Sequence, residues 1–260
     1  MRDCREEWYD SERKVAVTTV DVTQAAQDLA RGHLCGPTSA HYLTEALAAA
    51  ALLGGEMSER DETVILQTKC AGPLGGCTVE CTAAGTLRGY PERKVLDAFD
   101  GLGRPKDRDV LGDCRVQVTR SVPGRILSQG LSTSLDGYLA GSLQRKACLR
   151  VEAAVSDEVE ILEARGVLVE DLPDATGPVA CAQVAGLKSL AVASRTLLRQ
   201  LGLAKAELRR TTPLSFACRC SAARARAALA ALSEEERAAL PPTLDVTCHM
   251  CGRAFALKTR

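Results

Sequence analysis

The tail of the chain constrains its fold most. Cys218-Arg219-Cys220 and Cys248-His249-Met250-Cys251 make a C-x-C and a C-x-x-C, separated by residues 221–247. Two close pairs of this kind can bring four thiolates to one point, the tetrahedral Cys₄ set of a structural Zn²⁺. The same thiols without metal are placed to close two short disulfides. On spacing alone, a permanent zinc staple and a redox switch are both open. Four thiolates leave no free coordination position, and no Glu or His stands beside them as a base, so a metal-dependent enzyme is a poor reading. His249 lies between the ligands and is expected to stay out of the shell, which the thiolates fill.

The residues around the cysteines form a small module, 215–260. Ser221 to Leu232 is rich in Ala, Arg and Leu, all helix formers. Ser233-Glu234-Glu235-Glu236 is a capping box, and the helix it opens must close by Leu240, ahead of Pro241-Pro242. Leu244 to Thr247 and Ala254 to Leu257 read as short strands flanking a metal knuckle. The module's apolar residues, Phe216, Leu229, Leu232, Leu240, Val246, Phe255 and Leu257, are too few for a robust core. Domains below about 70 residues need a staple. Zinc would supply about 10–16 kcal/mol of apparent binding free energy, and a module held in that way should melt when the metal is lost.

The remaining chain has the means for a real core. Of 260 residues 46% are hydrophobic but only 3% aromatic, so that core is built from Leu, Val and Ala. Lys+Arg and Asp+Glu are both 33, a balance that argues against a nucleic-acid protein. Met1 to Asp10 carries charge and no apolar stretch, so no secretory signal is expected. No run suits a membrane span, and the expected location is the cytoplasm. There, 12 cysteines point to metal or redox chemistry more than to a disulfide framework.

In chain order, Lys14 to Val20 reads as a strand. A helix follows, capped by Asp21 or Thr23 and ending at Gly32, and a second opens at Thr38 or Ser39 with Leu43, Leu47, Ala50 and Leu53 on one side. Thr63 to Thr68 is a strand, residues 70–76 a Gly/Pro loop, and Cys77 to Thr82 with Thr86 to Tyr90 a hairpin through Ala84-Gly85. Residues 100–112 read as surface loop. Asp113 to Thr119 alternates as a half-buried strand; Ser134 to Ser142 is a short helix; Ala147 to Val155 and Glu160 to Leu172 are strands. These elements make an α+β core domain, 1–174, with a mixed sheet. Residues 175–214 form a helical middle segment whose Val184, Leu187, Leu190, Leu197, Leu198 and Leu201 make an apolar stripe, a candidate client-binding surface. Within it, 207–210 is a short charged piece. The Gly72-Pro73-Leu74-Gly75 loop lacks the Gly-Lys-Ser/Thr ending of a phosphate loop, so no ATP site is expected.

Eight further cysteines remain: Cys4, Cys35, Cys70, Cys77, Cys81, Cys114, Cys148 and Cys181. Most are expected to be small buried hydrophobes, Cys114 above all, on the inward phase of its strand. A Cys77–Cys81 bridge would require distortion. A second redox or metal site near Cys70, Cys77 and Cys81 is the lesser alternative.

The tail motif Phe216-Ala217-Cys218-Arg219-Cys220-Ser221, then Cys248-His249-Met250-Cys251-Gly252, closing on Phe255, resembles the redox switch of the Hsp33 family of heat-shock chaperones, with the spacer at the short end of the family's range. Leu66-Gln67, Gly72-Pro73-Leu74-Gly75, Val79-Glu80, Gly85, Arg88-Gly89-Tyr90 and Leu172-Pro173 carry the likeness through the rest of the chain. The chain departs from the family at Ser142-Leu143-Gln144, at Ala164-Arg165-Gly166 and in a shortened stretch between Leu203 and Pro213. The resemblance implies a chaperone that holds one Zn²⁺ on Cys218, Cys220, Cys248 and Cys251 when reduced. Peroxide under unfolding conditions, or hypochlorous acid, would close Cys218–Cys220 and Cys248–Cys251. The C-x-x-C bond should form first, because the C-x-C ring is tighter. Zinc would then leave, and the protein would bind unfolding clients without ATP, commonly as a homodimer. Melting of the module would uncover the 184–201 stripe. The competing reading is a constitutively zinc-stapled binding or regulatory protein that touches RNA through Arg219, Arg224, Arg226, Arg253, Lys258 and Arg260, although the chain has no aromatic stacking array for that purpose.

Overall fold

Alternating β-branched and small residues build two sheets that close over one alanine-rich helix. The structure, a computed structural model, describes residues 3–259. In chain order the elements are β1 (Cys4–Asp10), β2 (Val15–Asp21), α1 (Thr23–His33), α2 (Pro37–Leu53), β3 (Thr63–Cys70), β4 (Cys77–Thr82), β5 (Thr86–Pro91), α3 (Asp107–Leu111), β6 (Cys114–Val122), β7 (Arg125–Ser132), α4 (Leu135–Gly137, continued by a π turn over Tyr138–Ser142), β8 (Lys146–Val155), β9 (Ile161–Asp171), α5 (Ala180–Val184), α6 (Ser194–Gln200), β10 (Glu207–Pro213), β11 (Ser215–Phe216), α7 (Ala222–Ala230), α8 (Glu234–Ala238), β12 (Thr243–Thr247) and β13 (Ala254–Lys258). A five-stranded sheet runs β10-β1-β2-β9-β8, a six-stranded sheet runs β11-β5-β4-β3-β6-β7, and β12-β13 is a separate hairpin. All pairings are antiparallel except β11 on β5. The fold is α+β, as the sequence indicates.

Helix α2 is buried on nearly every side, not along one stripe as its sequence suggests. Ala48, Ala49, Ala50 and Ala51 are all inaccessible or nearly so. Short side chains let both sheets approach the same helix, so Val64, Leu66 and Val79 of one sheet share a core with Val20, Ala164 and Leu168 of the other. This packing is how a chain poor in aromatics fills its interior.

The five-stranded sheet is covered on both faces. Along β9, Ala164 and Leu168 point into the α2 core, while Val167 and Val169 point the other way, as a strand's two-residue period dictates. The outer face holds Trp8, Val15, Val17, Val167 and Val169, and on them lie Val184, Leu187, Leu190, Leu197, Leu198 and Leu201. The apolar stripe is therefore a second core. Its helices are short, with irregular chain between Val184 and Ser194.

Three strands depart from the sequence reading. β1 is disguised by charge, yet Arg5 is fully buried and donates from Nη1 to the Ala51 carbonyl at 3.2 Å and from Nε to Glu7 at 3.2 Å. β7 is an edge strand with little burial, so its apolar alternation is weak; Ile126 and Leu131 are exposed. The charged piece 207–210 is the start of β10, which pairs with β1 and places Arg210 on Glu7 at 2.7 Å. An exposed edge strand carries charge on its free face, which hides it from a hydrophobicity reading. The helical part of 175–214 thus ends near Leu201, and its last third joins the sheet. Residues 100–112 are loop apart from α3.

Candidate metal centre

The four tail cysteines are placed by the short elements that flank them. β11 pairs in parallel with β5, Ser215 opposite Thr86 and Phe216 opposite Leu87, and the Ala217 amide donates to the Leu87 carbonyl at 3.1 Å. This pairing delivers Cys218 to the sheet edge. Cys220 immediately precedes the N-cap of α7, where the Ser221 hydroxyl accepts from the Arg224 amide at 3.2 Å. The expected capping box opens α8: Glu236 accepts from the Ser233 amide at 2.8 Å, and the Ser233 hydroxyl accepts from the Glu236 amide at 3.2 Å. The β12–β13 hairpin carries the second pair. Its turn is closed by the Cys248 amide on the Arg253 carbonyl at 2.8 Å and the Gly252 amide on the Cys248 carbonyl at 2.9 Å.

The four Sγ atoms of Cys218, Cys220, Cys248 and Cys251 lie within 4.8 Å of one another. Cys218 and Cys248 are 3.8 Å apart, Cys220 and Cys251 3.4 Å. A zinc–sulfur bond of about 2.3 Å implies a tetrahedron edge of about 3.8 Å, so the donor set fits a tetrahedral thiolate metal. Charge points the same way. Burial pushes the thiols of Cys220, Cys248 and Cys251 up. For Cys218 the burial penalty is outweighed by the Cys220 amide, Arg88 and the neighbouring thiols, bringing it to about 7. Four thiolates gathered this closely would repel one another, and a divalent cation among them would offset that charge. His249 turns instead to Tyr90, ring centroids 3.8 Å apart.

The module itself buries almost nothing. Of residues 218–259 only Cys251 and Leu257 are buried. Arg224, Arg226, Arg253 and Lys258 are exposed, Arg219 reaches Glu80 at 3.5 Å, and Arg260 lies outside the described residues.

The centre docks on the core through a platform whose residues look unremarkable in sequence. Arg88 bridges Glu80, at 2.5 Å, and the Cys218 sulfur, at 3.8 Å. The Gly89 amide donates to the Met250 carbonyl at 3.1 Å, and buried His33 meets the Gly89 carbonyl through Nε2 at 2.7 Å. Burial lowers the His33 pKa, which keeps its ring neutral. Gly252 has φ +72°, and a Cβ there would stand 1.9 Å from the Gly32 carbonyl oxygen; a Cβ on Gly32 would stand 2.7 Å from the Cys251 oxygen. The two glycines let the knuckle lie directly on the end of α1. Arg88-Gly89-Tyr90, one of the motifs that carry the family likeness, is therefore the seat of the knuckle. The stripe is elsewhere: no residue of 215–259 belongs to its cluster.

The Hsp33 protein family model matches residues 7–258. The chain belongs to the Hsp33 family. It is 29% identical to a 33 kDa chaperonin of Thermus thermophilus, over 94% of this chain and 80% of that protein. With a 33 kDa chaperonin of Geobacillus kaustophilus the figures are 27%, 94% and 89%. The crystal structure of the 33 kDa chaperonin from Thermotoga maritima, a heat shock protein 33 homolog, superposes with a TM-score of 0.86 at 18% identity, covering 100% of this chain and 96% of that one. Family membership makes this Hsp33-family chain a chaperone rather than an enzyme. Among the described residues no helix is long and apolar enough to cross a membrane.

Proposed function

We propose that the chain is a redox-regulated, ATP-independent holdase whose reduced form holds one Zn²⁺ on Cys218, Cys220, Cys248 and Cys251. The observation that carries this reading is a module with only two buried residues among those described, built around four converging sulfurs. When bound, zinc would neutralise the thiolates and tie 218–220 to 248–251, supplying about 10–16 kcal/mol that the module's packing cannot. Closing the disulfides Cys218–Cys220 and Cys248–Cys251 consumes all four ligands. Each closure takes two electrons from a thiol pair to one peroxide, which leaves as two waters. The module then loses its staple, and the Gly89–Met250 and Arg88–Cys218 contacts go with it.

The working parts follow the division 1–174, 175–214 and 215–260, with β10 as the strap that ties the middle segment to the core. Client binding then needs the stripe to leave its sheet. Val184, Leu187, Leu190, Leu197, Leu198 and Leu201 would be exposed together with Trp8, Val17 and Val169, a contiguous apolar surface of the kind that binds unfolded chains. Since the module does not cover the stripe, melting must act along the chain, through β11 and β10. Freedom from ATP is supported at the Gly72–Gly75 loop. The amides of Gly72, Leu74 and Gly75 are spent on Leu111, Val110 and Gly72 carbonyls, so they do not form a phosphate cradle. The oxidised protein acts as a homodimer, and the site of work is the cytoplasm.

The test is light scattering from a thermally unfolding client. Suppression by the oxidised form alone supports the reading. Equal suppression by both forms would remove the switch and favour a constitutive zinc-stapled protein, and suppression by neither would remove the holdase.

A further inference from the structure

We propose that Cys70 and Cys114 form a second redox couple, built into the six-stranded sheet and separate from the four tail cysteines. The two residues face each other at the end of the β3–β6 ladder, with Cα atoms 4.1 Å apart, and their sulfurs are bonded in this structure. Cys114 is thus the partner of Cys70, correcting its reading as a plain core residue. Directly opposed residues of an antiparallel pair come this close only where they do not exchange backbone hydrogen bonds, which leaves the side chains side by side. The bond can therefore open and close without a change of register.

Three of the core cysteines are built differently. Cys35, Cys77 and Cys81 are buried, and burial pushes Cys35 up to about 12 and Cys81 to about 11. Burial of this kind disfavours the reactive thiolate. Cys70 and Cys114 are half-buried, within reach of a small oxidant. They also stand where a covalent tie has work to do. Beyond them the chain zips loop 71–76 to the α3 segment, with the Ala71 amide on Asp113 at 2.9 Å, Gly72 on Leu111 at 2.7 Å and Leu74 on Val110 at 3.2 Å. The bond anchors the base of this zip.

The chemistry balances with a hydroperoxide as oxidant. One thiolate attacks the O–O bond and becomes a sulfenic acid, releasing water or alcohol. The facing thiol then displaces the S–OH oxygen as water and forms the S–S bond, so two electrons pass from the sulfurs to the peroxide. Exchange with a dithiol reverses the step. In the protein's work, which rests on the function proposed above, the oxidant that opens the tail would also lock the core, keeping a rigid platform beneath a melting module.

The test uses the reduced full-length chain, treated with stoichiometric hydrogen peroxide below its unfolding temperature, alkylated, digested without reductant and mapped by mass, with bound metal measured on the same sample. The expected result is a linked Cys70–Cys114 peptide pair in chains whose tail thiols are still reduced, absent in Cys114→Ser, with tail oxidation within about 2-fold of the parent rate. Cys70 and Cys114 both alkylated as free thiols in chains whose tail is oxidised would overturn it, as would a link formed only after denaturation. The metal reading separates the two proposals. A chain that forms the link but never holds zinc upholds the couple and sinks the zinc switch; loss of zinc without the link does the reverse.

Discussion

Replacing Gly32 with alanine sets two effects of opposite sign against each other. Gly32 lies in the last turn of α1, where Ala is the better helix former by roughly 0.5–1 kcal/mol, so α1 itself gains. The new Cβ, however, stands 2.7 Å from the carbonyl oxygen of Cys251. Both are backbone-fixed, so no rotamer change relieves the overlap. The knuckle must back away by roughly half an ångström or more to reach ordinary contact. That retreat falls on the Gly89–Met250 hydrogen bond, 3.1 Å long. Losing such a bond costs about 0.5–1.5 kcal/mol net, and at 1.36 kcal/mol per decade the undocked population rises roughly 2- to 13-fold. Gly252→Ala meets the same contact from the other side and adds the left-handed backbone cost of about 1–2 kcal/mol, so its effect is larger. The assay is hydrogen exchange at the Gly89 amide in the reduced, metal-loaded chain, together with the rate of tail-thiol oxidation. Faster exchange and faster oxidation in the order parent, Gly32→Ala, Gly252→Ala is the expected result. An unchanged or slower Gly89 amide in Gly32→Ala would mean that helix propensity wins and that docking does not guard the switch.

Leu198, 1% exposed in the second core, should cost about 2–5 kcal/mol as Leu198→Ala, read by chemical denaturation. Because the stripe must leave its sheet for clients to bind, that loss also loosens the middle segment, and the reduced variant should begin to suppress client aggregation. Selective reduction of Cys70–Cys114 reopens a separation of 44 residues, worth about 4 kcal/mol by chain entropy; the core should melt earlier by calorimetry while the hydrogen exchange of 243–258 stays as it was.

The sequence announces what local chemistry controls. The Ala84-Gly85 hairpin, the Ser233/Glu236 capping box and the close cysteine pairs 218/220 and 248/251 each depend on residues within a few positions of one another. What it conceals depends on distant partners. β1 and β10 look like charged loop because each shows its polar face; their pairing, and the burial of Arg5, appear only when the sheet is assembled. α2 presents as a one-sided helix because nothing local says that two sheets will share it. Cys114 follows the inward phase of its strand, which correctly gives its direction but not the sulfur waiting across the ladder. The stripe 184–201 is visible as a stripe; that it faces the outer side of the five-stranded sheet, away from the zinc module, follows from the alternation of β2 and β9 and from how the chain crosses over.

The most direct test of the switch follows zinc release, tail-thiol oxidation and client protection in one peroxide time course at raised temperature, with the disulfides mapped by mass at each point. A zinc-held switch predicts that Cys248–Cys251 and Cys218–Cys220 close, that one zinc per chain is released in step with them, and that protection rises on the same curve. Zinc retained while protection appears, or bridges running from one tail pair to the other, would contradict it.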